Sequence, residues 1–348
     1  MGNIKNFKQH FQIRLHAFQE LINQITLLLE NGGFDAIIKQ QSIENKWFTE
    51  MNCRFALKAL SKMLEKCSCA TFYQKYQSCF QKEREVQSIA VISAGNIPCV
   101  AFHDFFSVLV SGNRFLGKLS SQDSLLLPFL SEILIKIEPR FEEKIVFVEK
   151  LNQFDKIIAT GSNNSARYFE YYFKDFPLLL RKNRNSIAIL NGDESDEDLR
   201  NLSVDVFQYF GLGCRSVSKI FVPKNYNFSR LIEIFKEESK SLLLHNSYMN
   251  NYDYNRTIFT LNCMPVYDGT SFLLLQNTAL ASPVSVIYYE EYEKISEISE
   301  KIQTLKNEIQ CVVSNDYAIE NNIGFGKTQH PSLFDYPDKE DILLFCIS

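Results

Sequence analysis

The sequence of 348 residues lacks several features that define specialised classes of protein. It has no basic block, and its 37 Lys and Arg stand against 41 Asp and Glu, so no nucleic-acid partner is expected. It has no apolar run near the ~18 residues of a membrane span. The first twelve residues, MGNIKNFKQHFQ, lack the apolar core and cleavage site of a signal peptide, and Asn6 stands where a myristoylation signal needs Ser or Thr. We therefore expect a cytoplasmic protein without a membrane span.

Cysteine is present but shows no ligand spacing. The nine cysteines form no C-x-x-C pair, and the one local cluster, Cys67, Cys69 and Cys79, has no second pair of ligands nearby. This spacing does not predict a metal site. The simplest interpretation is a set of reduced thiols, as in cytoplasmic proteins.

The apolar content is sufficient for a large core. Hydrophobic residues make up 45% of the chain and charged residues 22%, and this length suggests about two domains. Up to about residue 80 the apolar positions have a helical period, and the first stripe stops at Asn31-Gly32-Gly33. This stripe comprises Phe7, Phe11, Leu15, Phe18, Ile22, Ile25 and Leu29. We expect helices that pack on a larger body.

From Ser88 onwards, strand-like and helix-like segments alternate. Short apolar runs rich in β-branched residues predict buried strands at SIAVISA, RFLGKL, KIVFVE, KIIAT, SIAIL and KIFVP. Helical patterns separate most of them, for example at 124–137, 163–174 and 195–210. Such alternation predicts a doubly wound α/β sheet. The acidic turn at 191–200 is the nearest feature to a domain boundary.

Two predicted strands end in small or polar residues that precede a helix. Thr160, Gly161 and Ser162 follow KIIAT, where the first N–H groups of a helix lack intrahelical partners and favour an anion such as a pyrophosphate. The glycines do not form the G-x-G-x-x-G fingerprint, and an ordinary Ser or Asn helix cap is the plainer interpretation. Asn96 in SAGNIP follows another strand, where its amide can stabilise an oxyanion or can simply suit a turn.

A third strand end, FLGKLSS, places Lys118 and Ser120 before a helix. A lysine there can reach the ribose or phosphate oxygens of a nucleotide. The alternative is a solvated lysine with no ligand.

Cys214, in YFGLGCRSVSK, has a different setting from the other cysteines. Gly211 and Gly213 let the backbone approach a ligand and permit a positive φ, and Arg215 adds a positive charge. Free N–H groups and a cation favour the nucleophilic thiolate. The other eight cysteines lie mainly in apolar or helical patterns, where cysteine packs as a small hydrophobe, and the same packing role is the alternative for Cys214.

The order of these segments carries more information than any one of them. The chain contains, in this order, GNIP, GKLSS, ATGSNNSARYF, NRNSIAIL, GLGCRSVSKIFVP, SPVSVIYYE and GFGKTQHPSLFDYPDKEDILLF. The set resembles the aldehyde dehydrogenase superfamily. Within it the chain resembles the long-chain acyl-CoA reductase (LuxC-type) family, which supplies fatty aldehyde in luminous bacteria, over roughly residues 85 to 348.

This resemblance implies the architecture. It implies an aldehyde-dehydrogenase-like α/β fold with a doubly wound Rossmann-type cofactor domain and a smaller α/β catalytic domain. The nucleotide-binding domain with its helical amino terminus would cover 1–190, and the catalytic domain 191–317. The carboxyl-terminal segment, 318–348, would return to the nucleotide-binding domain.

The resemblance also implies the roles of the candidate residues. It makes Cys214 the acyl-accepting nucleophile, with Asn96 and the Cys214 backbone N–H as donors to the oxyanion. It assigns binding of the nucleotide ribose and pyrophosphate to Lys118 and Ser162. The predicted cofactor-binding residues are thus Lys118, Ser120, Thr160, Gly161 and Ser162.

Two departures from the superfamily pattern bear on the reaction. The segment LRKNRNSIAIL has no carboxylate where ordinary aldehyde dehydrogenases carry a Glu that activates water, which suits acyl transfer to a thiol instead of hydrolysis. Ala279 replaces a Glu that usually holds the nicotinamide ribose, which leaves the cofactor pose open.

The resemblance therefore implies a cytoplasmic reductase of long-chain acyl-CoA that uses NADPH, with NADH as the alternative. Another activated donor, such as an acyl phosphate or an acyl-carrier protein, remains open, as does a non-catalytic acyl-binding subunit. Partners would be the acyl donor, an acyl-activating or acyl-transfer enzyme, and a second copy of the chain in a homo-oligomer. We expect His103 to pack beneath the site. Arg181, Lys182 and Arg184 could contact CoA phosphates, although a solvated basic turn is the plainer interpretation.

Overall fold

The computed structural model describes residues 2–65, 69–80, 84–316, 319 and 321–348. The chain divides into two compact units. The first comprises Met1–Asn183 and Pro331–Ser348, and the second comprises Arg184–His330.

The first unit begins with a layer of helices whose bounds are α1 (Gly2–Glu30), α2 (Asp35–Glu44), α3 (Glu50–Glu65) and α4 (Cys69–Tyr76). The first helix ends where the sequence predicts, before Gly32, which has a φ of 79°. Phe18, in the predicted stripe, is fully buried, and its ring packs edge-on against those of Phe106 and Phe141. The first helix thus packs against later helical segments of the same unit, which also contains a sheet.

That sheet has five parallel strands, β1 (Ser88–Ile92), β2 (Arg114–Lys118), β3 (Ile145–Phe147), β4 (Lys156–Thr160) and β5 (Leu178–Arg181). Their spatial order is β3-β2-β1-β4-β5. The helices of this part of the first unit are α5 (Phe102–Ser111), α6 (Leu126–Ile137) and α7 (Asn163–Tyr172). Because the chain leaves β1 in one direction and later resumes on its other side, the strand order reverses between β1 and β4. In open α/β sheets, ligands bind at such a reversal, outside the carboxyl ends of the strands.

The second unit has a six-stranded sheet made of β6 (Asn185–Ile189), β7 (Val217–Pro223), β8 (Val266–Asp268), β9 (Leu273–Gln276), β10 (Val286–Tyr292) and β11 (Ile309–Val313). The order is β11-β6-β7-β10-β9-β8, and only the β8–β9 pair is antiparallel. Its helices are α8 (Asp196–Phe207), α9 (Ser229–Glu238), α10 (Asn246–Leu261) and α11 (Ile295–Thr304). The last helix of the chain, α12 (Ile342–Ile347), belongs to the first unit.

The boundaries of the two units fall elsewhere than at 190 and 317. The predicted strand SIAIL lies within β6, which pairs with β7 and β11 of the second sheet, so the first boundary moves to Asn183. Residues up to His330 stay with the second unit, because Ile323 bridges Val313 on β11. Strand pairing, which is not local in sequence, sets both boundaries.

Two other expectations concern metals and membranes. Cys67 of the cysteine cluster, and the side chain of Cys69, lie outside the described residues. Elsewhere in the described chain, no group of three or more His, Cys, Asp or Glu side chains is arranged to hold a metal ion. None of the described helices is long and apolar enough to cross a membrane.

Candidate active site

Strand register brings three predicted segments together at one edge of the first sheet. Ile92, the last residue of β1, pairs with Lys118 on β2 and with Ala159 on β4. The turns that follow these three strands therefore lie side by side at the carboxyl edge, next to the reversal of strand order. Asn96, Lys118, Ser120 and the 160–162 turn all belong to this edge.

The turns after β1 and β2 pack directly against each other. A Cβ atom on Gly95 would lie 2.7 Å from Ser120 Cβ and 2.8 Å from Gln122 Cβ, which is closer than real side chains approach. Position 95 therefore requires glycine for close packing. The neighbouring Asn96 is exposed. Ser120 thus has a structural role in shaping the turn that presents Asn96.

Lys118 lies at the end of β2 with its side chain partly exposed. Its ammonium group donates a hydrogen bond of 3.2 Å to the backbone carbonyl of Glu149, which follows the neighbouring strand β3. The Lys118 ammonium therefore lies at the edge of the sheet, as nucleotide binding would require, but here it donates to a backbone carbonyl of the protein. This contact is weak and exposed, so a ligand oxygen could replace it.

The turn after β4 shows the cap that the plainer interpretation expected. Ser162 Oγ accepts a 3.2 Å hydrogen bond from Ser165 N and caps α7, while Gly161 N donates to the Arg181 carbonyl on β5. The cap and this strand contact use two of the N–H groups of the turn. The hydrogen bonds of the described backbone include none from the N–H groups of Asn163 and Asn164, so these are groups available to an anion.

Gly161 is also needed for packing. A Cβ atom there would lie 2.9 Å from Ser165 Cβ and 2.9 Å from Phe169 Cε2. The segment 160–162 can therefore pack this closely against α7 only with glycine at position 161.

Arg181 is neither a phosphate ligand nor part of a solvated basic turn. Its guanidinium forms two hydrogen bonds of 2.8 and 2.6 Å with Asp104 on α5, and both side chains are buried. Lys182 does remain at the surface, paired with Glu170. Burial lowers the pKa of His103, the neighbour of Asp104, and its Nε2 lies 3.2 Å from the Leu333 carbonyl. His103 thus packs inside the first unit.

Cys214 lies in the second unit, on the turn before β7, where it is exposed and forms no disulfide. Ahead of it, Tyr209, Phe210 and Gly211 all have left-handed backbone conformations, with φ of 54°, 59° and 73°. Such a conformation costs about 1–2 kcal/mol for each non-glycine residue. Packing holds it, since both aromatic residues are buried and the Phe210 ring lies 4.2 Å from that of His245.

The residues on either side of the thiol are fixed by distant parts of the chain. Ser186 Oγ, at the start of β6, donates a 2.9 Å hydrogen bond to the Cys214 carbonyl. Arg215 Nε donates to the Thr328 carbonyl at 2.5 Å, and Gln329 Nε2 donates to Ser216 Oγ at 3.3 Å. The backbone around Cys214 is therefore held by hydrogen bonds, while the residue itself is exposed.

Asp205 on α8 organises the segment that contains Thr328. Its carboxylate accepts hydrogen bonds from Gly326 N at 2.7 Å, Thr328 N at 3.0 Å and Thr328 Oγ1 at 2.7 Å. Asp205 and Thr328 are completely buried. Burial raises the pKa of Asp205, while these hydrogen bonds and the charge of Arg215 oppose the increase. Arg215 and Asp205 thus both form hydrogen bonds with the short segment 326–328.

The loop that carries Ala279 is attached to β7, the strand that begins just after Cys214. Ser218 Oγ donates to the Leu280 carbonyl at 2.8 Å. The fully buried Lys219 donates to the carbonyls of Asn277 and Thr278 at 3.0 and 2.9 Å, and it forms an ion pair with Glu290. Burial lowers the pKa of Lys219 and Glu290 opposes this. Ala279 itself is exposed.

Sequence reasoning missed these supporting residues. Lys219 could have been noticed, because a cation inside the apolar run VSKIFV must find buried partners. Asp205 falls on the buried stripe of α8 with Leu202 and Val206, which is a similar signal. Thr328 gives no such signal, since its role depends on a contact with a residue far away in sequence.

These two sheets define an aldehyde-dehydrogenase-like α/β fold, with a Rossmann-like parallel-sheet domain and a second α/β domain. No protein-family model matches the chain, and no curated protein does. Solved structures do match. The chain is similar to the NAD+ complex of an aldehyde dehydrogenase from Bacillus cereus, with a TM-score of 0.60 and 12% identity over 88% of this chain and 72% of that chain.

Two further structures are similar to the same extent. One is aldehyde dehydrogenase 21 from Physcomitrella patens in complex with the reaction product succinate, with a TM-score of 0.59 and 14% identity over 87% of this chain and 74% of that one. The other is an indole-3-acetaldehyde dehydrogenase from P. syringae in complex with NAD+, with a TM-score of 0.61 and 12% identity over 90% and 76% of the two chains. At these identities the shared property is the fold.

Proposed function

We propose that the protein is a nicotinamide-dependent oxidoreductase of acyl groups, and specifically an NADPH-dependent reductase that converts long-chain acyl-CoA to fatty aldehyde. One observation carries the proposal. An exposed cysteine that forms no disulfide, Cys214, lies before a central strand, on a turn held by hydrogen bonds, in a chain with the aldehyde-dehydrogenase-like fold. A thiol kept for packing would be buried, as Cys53, Cys99, Cys311 and Cys346 are.

In the proposed reaction the Cys214 thiolate attacks the thioester carbonyl, and the carbonyl oxygen becomes a tetrahedral oxyanion. The Cys214 backbone N–H and the Asn96 amide are the proposed donors to this oxyanion, and removal of one such donor typically costs about 3 kcal/mol. Collapse of the intermediate expels the CoA thiolate and leaves the acyl group on Cys214 as a thioester. A reduced nicotinamide would supply the hydride that converts this thioester to aldehyde and restores the Cys214 thiolate.

The carboxyl edge of the first sheet has groups suited to a dinucleotide. The N–H groups of Asn163 and Asn164 at the start of α7 suit a pyrophosphate, and the Lys118 ammonium suits ribose or phosphate oxygens. Thr160, Gly161 and Ser162 would act mainly by shaping this turn, and Ser120 by shaping the turn after β1. We propose NADPH as the cofactor, with NADH as the alternative.

The lack of a carboxylate in one segment of the sequence bears on the proposed fate of the acyl group. The segment 180–190 has no carboxylate to activate water, so the acyl-enzyme would persist until hydride arrives. Acyl phosphates or acyl-carrier proteins are alternative donors, and an acyl-activating or acyl-transfer enzyme would be the natural supplier. A homo-oligomer is compatible with this proposal.

A non-catalytic acyl-binding subunit is the second candidate. The observation in its favour is Ala279, which has no carboxylate for a nicotinamide ribose although its loop is firmly attached to β7 through Lys219. This candidate predicts acyl-CoA binding without turnover at any cofactor concentration. A panel of acyl donors, with NADPH oxidation as the readout, separates it from the reductases.

The central test follows covalent labelling and NADPH oxidation together. Radiolabelled long-chain acyl-CoA is incubated with the protein and with two variants, Cys214→Ala and Cys263→Ala. Cys263 is a matched control because it is also exposed and lies in the same unit. We expect Cys214→Ala to lose both the protein-bound label and NADPH oxidation, and Cys263→Ala to keep both. Equal label on Cys214→Ala would overturn the assignment.

A further inference from the structure

The first unit contains a cavity of about 1010 Å³, and all the residues that line it belong to that unit. The lining includes Gln87 and Asn113, which directly precede β1 and β2, and Lys144, which directly precedes β3. The cavity therefore lies at the amino edge of the parallel sheet. A strand of five residues, such as β1, separates this edge from the carboxyl edge by about 16 Å. The cavity is thus distinct from the candidate cofactor site.

Two cations line the cavity beside the end of α5. Arg14 Nε, on α1, donates to the Val110 carbonyl at 2.9 Å, and the Lys144 ammonium donates to the Gly112 carbonyl. Carbonyls at the end of a helix lack intrahelical partners, and basic side chains commonly satisfy them. These two bonds account for one donor of each cation.

The other donors of the two cations remain available. A guanidinium has five N–H donors and an ammonium has three. Arg14 lies with its guanidinium over Gly112, where an added Cβ would be 3.2 Å from both Cζ and Nη2. In the part of the chain that the structure describes, the Nη groups of Arg14 have no hydrogen-bond acceptor, and they are not sealed from solvent. They are therefore accessible from the cavity.

The two cations have no carboxylate partner among the described residues, and like charges surround them. Burial and the charge of Arg140 lower the pKa of Arg14 to about 10. Burial, Arg14 and Arg114 lower the pKa of Lys144. Arg140 is itself paired with Glu138 through hydrogen bonds of 2.7 and 2.8 Å, so the uncompensated charge lies on Arg14 and Lys144. An anion beside both would relieve their repulsion.

The cavity also has acidic residues, but these are placed differently. Glu85, Glu142 and Glu143 line it and are exposed, whereas Arg14 and Lys144 are partly buried. Solvent screens the charges of exposed groups more strongly than those of partly buried groups. The exposed carboxylates oppose a large polyanion such as a nucleic acid. A small molecule can instead place its anionic group directly against the two cations.

We propose that this cavity binds a small phosphorylated molecule whose phosphate group is held by Arg14 and Lys144. Two cations suit the double negative charge of a phosphate monoester better than the single charge of a carboxylate, and the two Nη groups of Arg14 can donate to two of its oxygens. Small-molecule sites have volumes of about 300–1,000 Å³, so this cavity has room for an organic body, beside Val86 and Ile347. The proposal does not depend on the proposed function.

The first test is calorimetric titration of the full chain with inorganic phosphate and with glycerol 3-phosphate. We expect the wild-type protein to bind both with a Kd below about 1 mM, and Lys144→Met to weaken this binding by about ten-fold or more. Lys58→Met is the matched control, because Lys58 is an exposed lysine on α3 of the same unit. Equal losses in the two variants, or no binding by the wild-type protein, would overturn the proposal. Binding of inorganic phosphate without the ester would mean an adventitious ion only, and would also overturn it.

A third variant distinguishes this cavity from the carboxyl edge of the sheet, where a phosphate could also bind. Lys118→Met removes the cation of that edge. We expect the binding that Lys144→Met weakens to persist in Lys118→Met. Binding that is lost in Lys118→Met and kept in Lys144→Met would assign the phosphate to the carboxyl edge and refute the cavity site.

A measurement on the wild-type protein covers the case in which Lys144→Met does not fold. Lysines are acetylated with acetic anhydride, and the rates at Lys144 and Lys58 are followed by mass spectrometry. The lowered pKa of Lys144 gives it a larger fraction of reactive neutral amine. We expect glycerol 3-phosphate to slow acetylation of Lys144 and to leave that of Lys58 unchanged. An unchanged rate at Lys144 would contradict the proposal.

Discussion

The candidate residues of the two units differ in what holds them in place. In the turn after β4 of the first sheet, the motif residues have local partners: Ser162 caps the helix that begins at the next residue, and Gly161 packs against that helix. Around Cys214 the supports come from far away in sequence, namely Ser186 on β6 and Thr328 near the end of the unit. Local sequence therefore specifies the turn after β4 almost by itself, whereas the conformation around Cys214 depends on the folded unit.

The largest expected effect on stability follows from substitution of Asp205, which holds the segment that contains Thr328. Asp205→Ala leaves the buried N–H groups of Gly326 and Thr328 without an acceptor, so we expect the free energy of unfolding to fall by about 3 kcal/mol. The Arg215 contact with Thr328 should loosen as well, and acylation of Cys214 should slow. Urea unfolding and single-turnover labelling measure the two effects.

Asp253→Ala is the control for that comparison, since Asp253 is an exposed aspartate on α10 of the same unit. It should change the free energy of unfolding by less than about 0.5 kcal/mol. Equal effects of the two substitutions would mean that the 326–329 segment does not depend on Asp205.

An intermediate effect concerns pH and the first unit. The pKa of Asp123 is about 7 in the folded protein, against about 3.9 for an unperturbed aspartate. Between these values the folded state keeps a proton that the unfolded chain has lost, so the free energy of unfolding falls as pH rises, by at most about 1.4 kcal/mol per pH unit from this group. Urea unfolding at several pH values should show a smaller slope in Asp123→Asn. A steeper slope in the variant would contradict the buried carboxyl group.

The smallest effect is at the local cap. Ser162→Ala removes the acceptor for Ser165 N and should lower the free energy of unfolding by about 1 kcal/mol. Ser162→Asp keeps an acceptor and should restore the stability, but its negative charge should weaken NADPH binding at the start of α7. Thermal unfolding and cofactor titration separate these outcomes. A loss of stability in Ser162→Asp equal to that in Ser162→Ala would show that the cap is unimportant.

The sequence was sufficient for the fold class, and it located several candidate residues at the ends of strands. Apolar runs with a β-branched composition predicted β1, β2, β3, β4, β6 and β7, all of which are present, since strand patterns of this kind are local. The strands β5 and β8 to β11 were not predicted. In β5 (Leu178–Arg181), four residues beside the exposed aromatic end of α7 have too little pattern. Arg181 shows the same limit: only the fold reveals that Asp104, on another element, neutralises it.

The left-handed turn at Tyr209, Phe210 and Gly211 makes the shape of the Cys214 segment conditional on a separate helix. The left-handed backbone of this turn would relax if packing did not keep the Phe210 ring against His245 and Tyr248, which lie at the beginning of α10. A substitution or a ligand that displaces the start of α10 would therefore change the position of the Cys214 thiol through the backbone. It would do so without contacting the groups that hydrogen-bond to the Cys214 segment.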